Sequence, residues 1–286
     1  MGALTVLNNI AGLEAQNSLS KTQMNLNQTL AALSSGQRIN SGADDPAGLA
    51  IANGLEANVT ALTQSVQNAT DGVGMLQVAD GALSQITTLL NSAVSIATES
   101  ATGTISDSQR TALQAQFQSI QTEITSIGQN TTYNGQAIFS SGAVLSVYMS
   151  DSSGAGTSTV TVNLGQVNDA NLGVSSGTTP TAISIASNDL SSASDAQAAL
   201  TNLNSAIASI ATLRGEIGAG SNQLTAASNV MNSQITNLTN AENNIMAANM
   251  GTETANLSQE SILQQTGIAA LQQSNQLQQS VLKLLQ

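Results

Sequence analysis

Two stretches of the chain place an apolar residue at every seventh position. One runs from Leu55 to Ala97 and the other from Leu203 to Ile245. A repeat of seven predicts helices that pack along one seam, as in a coiled coil. The repeat consists of Leu55, Leu62, Ala69, Leu76, Leu83, Leu90 and Ala97 in the first stretch, and of Leu203, Ile210, Ile217, Leu224, Met231, Leu238 and Ile245 in the second.

A second series lies four residues after members of the first and is expected to complete the seam. It is mostly valine in the first stretch and mixes apolar with polar residues in the second. Each stretch covers 43 residues, roughly 64 Å of helix at 1.5 Å per residue. Two rods of equal length on either side of the chain's middle are expected to lie side by side. The second series comprises Val59, Val66, Val73, Asp80, Thr87 and Val94, and Leu200, Ile207, Arg214, Ser221, Ser228, Ile235 and Glu242.

Shorter amphipathic helices are predicted next to the rods. A turn at residues 103–107 precedes the first of them, Asp45 and Pro46 mark the start of the first rod, and Gly251 marks a break after the second. The apolar positions are Leu113, Phe117, Ile120, Ile124 and Ile127 after the turn, Leu19, Leu26, Leu30 and Leu33 in an N-terminal helix, and Ile262, Ile268, Leu271, Leu277, Val281 and Leu284 in a C-terminal helix.

The middle of the chain has a β-type pattern. Asn134-Gly135 predicts a two-residue turn, and residues 144–148 and 160–164 alternate like strands on either side of a Gly/Ser-rich segment, 151–156. A third short strand is predicted at residues 182–186. We therefore predict a mainly α fold, a long antiparallel helical bundle formed by the N- and C-terminal halves, with a small central β-hairpin region.

Composition excludes most catalytic chemistry. The chain has no His or Cys, which rules out a Ser-His-Asp triad, a Cys nucleophile and ordinary zinc sites. The adjacent Asp44 and Asp45 could bind a cation or act as acid and base, but their position favours helix capping and loop hydrogen bonds. Asp151 faintly suggests a calcium loop that lacks further ligands. We expect no enzymatic activity, no cofactor and no metal site.

The net charge of −12, with only five scattered cations, provides no basic surface for nucleic acid or anionic lipid. The N-terminus lacks a basic region, its first charge is Glu14, and no apolar run is long enough to span a membrane. We therefore expect no nucleic-acid or membrane partner and, if the protein is exported, no ordinary cleaved signal peptide.

The two ends of the chain are amphipathic but too weak to be stable as isolated helices. Each is separated from its rod by a glycine-containing break. Apolar faces that remain after the bundle has formed need partners, either each other or another subunit. This favours an assembly role over a monomeric helical protein.

Several segments closely resemble landmarks of the bacterial flagellins. The resemblance covers residues 1–140 and 195–286. The segments are Leu33-Ser34-Ser35-Gly36-Gln37-Arg38-Ile39-Asn40-Ser41, Asp44-Asp45-Pro46-Ala47-Gly48-Leu49-Ala50-Ile51-Ala52, Asn68-Ala69-Thr70-Asp71-Gly72, Thr132-Tyr133-Asn134-Gly135, Leu263-Gln264-Gln265-Thr266-Gly267, Ser274-Asn275-Gln276 and Val281-Leu282-Lys283-Leu284-Leu285.

The resemblance implies a filament subunit that is exported unfolded through the flagellar secretion channel and polymerises outside the cell. It implies a cytoplasmic chaperone on the C-terminal helix, and contacts with the filament cap and hook-associated proteins. Five residues of the N-terminal landmark form the family's signature loop, namely Arg38, Asn40, Asp44, Asp45 and Gly48.

The resemblance also divides the chain into layers. The inner D0 layer would contain residues 1–42 and 252–286, and the surrounding D1 shell residues 43–140 and 191–251. Residues 141–190 would be a hairpin appendage of the shell, because the usual outer domains are missing. The apolar positions of the N- and C-terminal helices would form the assembly interface.

The sequence departs from the family at two groups of positions. Charged residues usual near the end of the last rod are replaced by Asn244, Ala247 and Asn249, and the family's Asn-Arg pair by Asn222-Gln223. A receptor-binding patch also looks degraded, because Ser92, Ile96 and Gln116 align with an expected arginine, leucine and glutamate. We expect weak activation of the innate-immune receptor.

Three alternatives remain open at this stage. The first is a hook–filament junction protein, which shares the terminal architecture. The second is a flagellin with an enzymatic insert, which the short middle and the lack of His disfavour. The third is an adhesin in which residues 141–180 contact a surface; the same residues could carry O-linked sugars or form a solvated hairpin.

Overall fold

The computed structural model describes residues 9–140, 143–150, 158–173 and 183–284, the last without the side chains of residues 281–284. Five helices dominate the described chain. They are α1 (Ile10–Ser35), α2 (Pro46–Ala101), α3 (Asp107–Asn130), α4 (Ala193–Met246) and α5 (Met250–Leu284). The described residues between α3 and α4 contain six short strands: β1 (Thr132–Tyr133), β2 (Gln136–Ala137), β3 (Val144–Tyr148), β4 (Thr159–Asn163), β5 (Gln166–Asn168) and β6 (Asn171–Gly173). The predicted fold class is confirmed.

The chain forms two compact units. One comprises Met1–Ala57 and Asn237–Gln286, and the other comprises Asn58–Thr236. The long helices α2 and α4 each supply residues to both units. We call the first the terminal unit and the second the long-helix unit.

In the long-helix unit, α2 and α4 run antiparallel. Asp80 on α2 pairs with Arg214 on α4, and a Cβ atom on Gly72 would lie 3.2 Å from Leu224 Cδ1. A lower residue number on α2 therefore faces a higher one on α4, which is the order that antiparallel helices give. The side-by-side packing of the two predicted rods is confirmed within this unit.

The buried stripe on each rod differs in part from the predicted seam. The first series is buried from Leu62 to Ala97 on α2 and from Leu203 to Met231 on α4, whereas Leu55, Leu238 and Ile245 are half-buried. The buried companion series lies three residues on, where small residues predominate, and the valines four residues on are only half-buried. The prediction that the second series, four residues after the first, completes the centre of the core is therefore wrong. The buried companions are Ser65, Gly72, Ala79, Ile86, Ala93 and Ser100 on α2, and Ala199, Ala206, Leu213 and Gly220 on α4.

Small residues lie at the centre because the strands pack against the helices there. A Cβ on Gly72 would lie 2.8 Å from Val147 on β3, and one on Gly220 would lie 2.3 Å from Val162 on β4. A Cβ on Gly128 of α3 would lie 1.9 Å from the carbonyl oxygen of Val167 on β5. A larger residue at Gly128 would move β5 away from α3, whereas one at Gly72 or Gly220 would require the side chain of Val147 or Val162 to shift.

The strands described between α3 and α4 form three antiparallel pairs: β1 with β2, β3 with β4, and β5 with β6. The first contains the predicted turn, since Asn134 and Gly135 both have positive φ, 50° and 76°. The second, in which Val144 faces Asn163, confirms both strand predictions to within one residue. The third was not predicted. Residues 151–156 lie outside the described chain.

The strand predicted at residues 182–186 is corrected to a single bridge, in which Ile183 pairs with Leu172. Side chains hold the segment after it by hydrogen bonds to its backbone. Gln121 Nε2 donates to the carbonyl of Ile185, and the amide of Leu190 donates to Gln114 Oε1. The amides of Ile185 and Ala186 both donate to the carbonyl of Asp169, so side chains and a single backbone carbonyl together satisfy this segment in place of a strand partner.

Candidate assembly interface

The terminal unit is built on an antiparallel pair of helices, α1 and α5. Gln264 Nε2 on α5 donates to Gln23 Oε1 on α1 at 2.7 Å. Ser274 Oγ donates to Asn9 Oδ1 at 2.9 Å, and a Cβ on Gly267 would lie 3.4 Å from Leu19 Cδ1. The two helices thus meet through amides, a hydroxyl and a glycine as much as through apolar side chains.

The ten apolar residues predicted to form the interface divide into three groups. Leu26 is buried and Leu19, Leu33 and Leu271 are half-buried. Leu30, Ile262, Ile268 and Leu277 are between 44% and 61% exposed. The side chains of Val281 and Leu284 lie outside the described residues. The first group packs within the subunit, whereas the second is left about half exposed by the described residues.

Further apolar side chains on the same helices are exposed. Ile10, Leu13 and Met24 on α1, and Met250 and Leu263 on α5, are each about half or more exposed. Exposed apolar residues that recur along both helices of a pair indicate a surface made for another protein. Sequence reasoning missed Ile10, Leu13 and Met24, although their spacing of three and eleven residues places them on one helical face.

The signature loop binds the end of α4. The amide of Arg38 donates to the carbonyl of Met246 at 2.6 Å, and the amide of Ala248 donates to the carbonyl of Gly36 at 3.0 Å. Gln37 and Ala247 form an antiparallel bridge. Gly36 caps α1 in the left-handed conformation, with φ of 72°, so that the chain can turn into this pairing.

Arg38 also caps α4. Its Nη2 atom donates to the carbonyl of Ile245 at 2.8 Å. The last turn of α4 has no basic residue of its own, and a cation at a helix C-terminus satisfies free carbonyls and the negative end of the helix dipole. Arg110 does the same for α2, donating to the carbonyl of Thr102 at 2.8 Å. The sequence alone could not indicate the cap on α4, because Arg38 and Ile245 are 207 positions apart.

The predicted break near Gly251 lies slightly earlier, at residues 247–249, and Gly251 belongs to the first turn of α5. Asn249 Oδ1 accepts hydrogen bonds from the amides of Gly251 and Thr252. Asn249, one of the departures from the flagellin pattern, is therefore the N-cap of α5.

Asp44 and Asp45 perform different tasks in the loop. Asp45 Oδ1 accepts from the amide of Gly48 at 2.9 Å and caps α2 at Pro46, as predicted. A side chain at Gly48 would require Asp45 and Ile39 to shift, because a Cβ there would lie 2.4 Å from Asp45 Oδ2 and 2.8 Å from Ile39 Cδ1. No group of three potential metal ligands occurs among the described residues.

Asp44 organises the loop itself. Its Oδ2 accepts from the amides of Asn40 and Ser41 and from the Ser41 hydroxyl, and its Oδ1 accepts from Gln28 Nε2 on α1 at 3.0 Å. Asn40 adds a hydrogen bond from its side chain to the carbonyl of Gln37. These donors, chiefly the amides of Asn40 and Ser41, lower the pKa of Asp44 below its usual value of 3.8.

The lowered pKa predicts an acid-sensitive loop. Because the folded state holds Asp44 ionised, its contribution to stability is present above the unfolded pKa and is lost as pH falls through the lower folded pKa. The variant Asp44→Asn is expected to lower the thermal midpoint of the terminal unit above about pH 4, with a difference from wild type that shrinks in stronger acid. Circular dichroism melting at several pH values measures this difference.

Asp71→Asn controls for the loss of a surface charge, since Asp71 accepts a single hydrogen bond from Gln67 Nε2 in an exposed position. A difference between wild type and Asp44→Asn that stayed constant from about pH 3 to pH 6 would contradict the role of the ionised carboxylate.

Comparison with known proteins identifies the family. Residues 6–143 match the bacterial flagellin N-terminal helical region, and residues 200–285 match the bacterial flagellin C-terminal helical region. The flagellin of Listeria innocua is 30% identical over 99% of both chains. The B-type flagellin of Pseudomonas aeruginosa is 42% identical over 48% of this chain. The match covers only 28% of the length of that protein.

A solved structure supports the fold. A flagellar hook-associated protein from Vibrio parahaemolyticus matches over 71% of this chain and all of its own, with a TM-score of 0.57 and 16% identity. At that identity the likeness concerns the fold alone. Among the described residues, no helix is both long and apolar enough to cross a bilayer. With both terminal regions matched and a relative aligned from end to end, the chain belongs to the bacterial flagellin family.

Proposed function

We propose that this chain is a structural subunit that polymerises into the bacterial flagellar filament outside the cell, and that it acts without catalysis or a cofactor. The observation that carries the proposal is the exposure of Leu30, Ile262, Ile268 and Leu277 on helices that are already paired. Apolar side chains that the pair leaves uncovered would be covered by the same helices of neighbouring copies.

The proposed layers follow the two terminal helices. Residues 1–42 and 252–286 would line the inner tube, and residues 43–140 and 191–251 would form the shell, with residues 141–190 as its appendage. The signature loop residues would connect the layers, since Arg38, Asn40, Asp44, Asp45 and Gly48 fix the ends of α1, α2 and α4.

Purified protein added to filament seeds tests the proposal by electron microscopy. We expect filaments about as wide as the inner tube and shell alone, growing indefinitely from the seeds. A protein that bound seed ends once and stopped would support the alternative, a hook–filament junction protein. No elongation by freshly unfolded and refolded protein would contradict the proposal.

Three further partners belong to the proposal. The exposed apolar residues of α5, among them Ile262, Leu263 and Ile268, would bind a cytoplasmic chaperone before export. The growing end would contact the filament cap and the hook-associated proteins. Nucleic acid and membranes are not expected as partners of a chain with net charge −12.

Filament stability is expected to depend little on salt. Arg214 and Asp80 form the one ion pair among the described residues, and contacts between subunits would rest on apolar and amide groups, which salt does not screen. Depolymerisation temperatures measured by light scattering between about 20 and 200 mM salt should nearly coincide. A steep dependence would contradict this account.

Activation of the innate-immune receptor is expected to be weak. Ser92 and Gln116 are exposed positions on α2 and α3, where the family has an arginine and a glutamate, so two charge-assisted hydrogen bonds would be missing. A reporter-cell assay against a flagellin that retains the charged residues measures potency. Equal potency would refute the expectation.

A further inference from the structure

The chain contains two Asn-Gly dipeptides, Asn53-Gly54 and Asn134-Gly135. Asparagine is chemically labile, and the backbone amide that follows it attacks its side chain most easily when that amide belongs to glycine, which has no side chain to hinder the approach. Both dipeptides are exposed to solvent. They lie, however, in opposite backbone environments, and the difference singles out one of them as reactive.

Asn53-Gly54 lies inside a long helix. The helix α2 runs from Pro46 to Ala101, and in a regular helix each amide donates to the carbonyl four residues earlier. The amide of Gly54 is therefore engaged. Rotation of Asn53 toward its neighbour's nitrogen would break the hydrogen-bonded turns on both sides of it, which helix cooperativity opposes.

Asn134-Gly135 forms the tip of the hairpin between β1 and β2. Asn134 has a φ of 50°, in the left-handed region that strains a residue with a side chain, so its own backbone preference does not oppose rotation out of the turn. The pairing of β1 with β2 consists of Thr132 with Ala137 and Tyr133 with Gln136. A turn held by so short a ladder opens at little cost in free energy.

The two groups that would react in this turn are unengaged. No described residue hydrogen-bonds to the Asn134 side chain or to the Gly135 amide, and no atom lies within 4 Å of the Cβ position of Gly135. The exposed Asn40-Ser41 pair differs, because Asn40 Nδ2 donates to a backbone carbonyl and the Ser41 amide donates to a carboxylate. The signature loop holds both of its groups, whereas the turn holds neither.

We propose that Asn134 is a deamidation site at which the chain modifies itself. The Gly135 nitrogen bonds to Asn134 Cγ as the bond from Cγ to Nδ2 breaks, and ammonia leaves with the amide proton. Water then opens the succinimide ring. Opening at Cγ gives aspartate, and opening at the main-chain carbonyl gives isoaspartate, in which the main chain continues through the side chain of residue 134.

The products change the turn and leave the core alone. Either one makes the net charge of −12 more negative by one unit. Isoaspartate also adds one carbon to the main chain, which a two-residue turn cannot accommodate without a change of geometry. Residues 134–137 are all exposed, so the change is confined to the hairpin. The reaction requires only the folded chain and water, so its failure would leave the proposed polymerisation untouched.

Incubation of the folded, full-length protein at mildly alkaline pH tests the inference, since the attacking amide must lose its proton. Peptide mass spectrometry measures replacement of the side-chain amide by a carboxyl group at each asparagine. Isoaspartate is measured with an isoaspartyl methyltransferase and labelled S-adenosylmethionine. We expect conversion at Asn134 to exceed that at Asn53 by about tenfold or more. In urea, where neither dipeptide is structured, the two should convert at similar rates.

Two variants assign the isoaspartate label. Asn134→Gly leaves a Gly-Gly pair, which suits the same turn, and should fold like wild type and lose the label. Asn53→Ala, the matched control, should keep it. Equal conversion of Asn53 and Asn134 in the folded protein, no conversion of Asn134, or an undiminished label in Asn134→Gly would each overturn the inference.

Discussion

Removal of residues 1–35, or of residues 255–286, is expected to abolish filament growth and leave the long-helix unit folded. The core of that unit lies within Asn58–Thr236, where Leu83, Phe117 and Ile210 are fully buried. The terminal helices contribute little to it. In the described part of α5 no large apolar side chain is fully buried, so its loss removes surface for neighbours more than it removes core.

The two truncations have separate readouts. Seeded elongation followed by electron microscopy measures assembly, and circular dichroism melting measures the helices that remain. The truncated chains should show no elongation but a cooperative melting transition close to that of the full chain. Filaments formed by either truncated chain would refute assembly through α1 and α5, and loss of the melting transition would refute the independence of the long-helix unit.

The heptad repeats predicted the rods, their antiparallel packing and one half of the buried stripe. The other half was assigned to valines such as Val66 and Val73, because bulky apolar residues usually occupy a coiled-coil seam. In the structure the smaller Ser65 and Gly72 are buried instead, because β3 and β4 cover the helices on that side. A two-helix pattern contains no information about this third layer.

Long-range polar contacts were not predicted from the sequence for a different reason. Asp80 and Arg214 interrupt their apolar series and look like defects, yet they form a bidentate pair with contacts of 2.7 and 3.2 Å. The exposed pair contributes no more than about 1 kcal/mol, but its two charges face each other only in one register. Opposite charges that interrupt two antiparallel repeats are a signal that could have predicted it.

The assembly interface stays a prediction. It was drawn from the amphipathic ends of the chain, and Leu30 and Ile262 are exposed as such an interface requires. The contact between α1 and α5 involves Gln23, Gln264 and Ser274, which carry no apolar signal. Since polar residues form part of the contact within the subunit, more apolar surface remains for neighbours than the sequence indicates.

The substitution Gly128→Ala is expected to destabilise the long-helix unit by about 3 kcal/mol or more, at the upper end of overpacking effects. The added Cβ would lie 1.9 Å from the carbonyl oxygen of Val167 and 2.9 Å from its carbonyl carbon. Backbone atoms cannot relieve the clash by a change of rotamer, as a side chain can. The strand β5 must therefore move away from α3. The predicted result is a lower urea midpoint, measured by circular dichroism on the full chain.

Glycines in α4 supply matched controls for Gly128→Ala. Gly218 is exposed and has open space around its Cβ position, so Gly218→Ala should stabilise by about 0.5 to 1 kcal/mol, because alanine loses less backbone entropy in a helix. At Gly220 a Cβ would lie 2.3 Å from a methyl group of Val162, a side chain that can shift. Gly220→Ala should therefore fall between the other two, and equal stability of all three variants would show that the strands do not rest on these glycines.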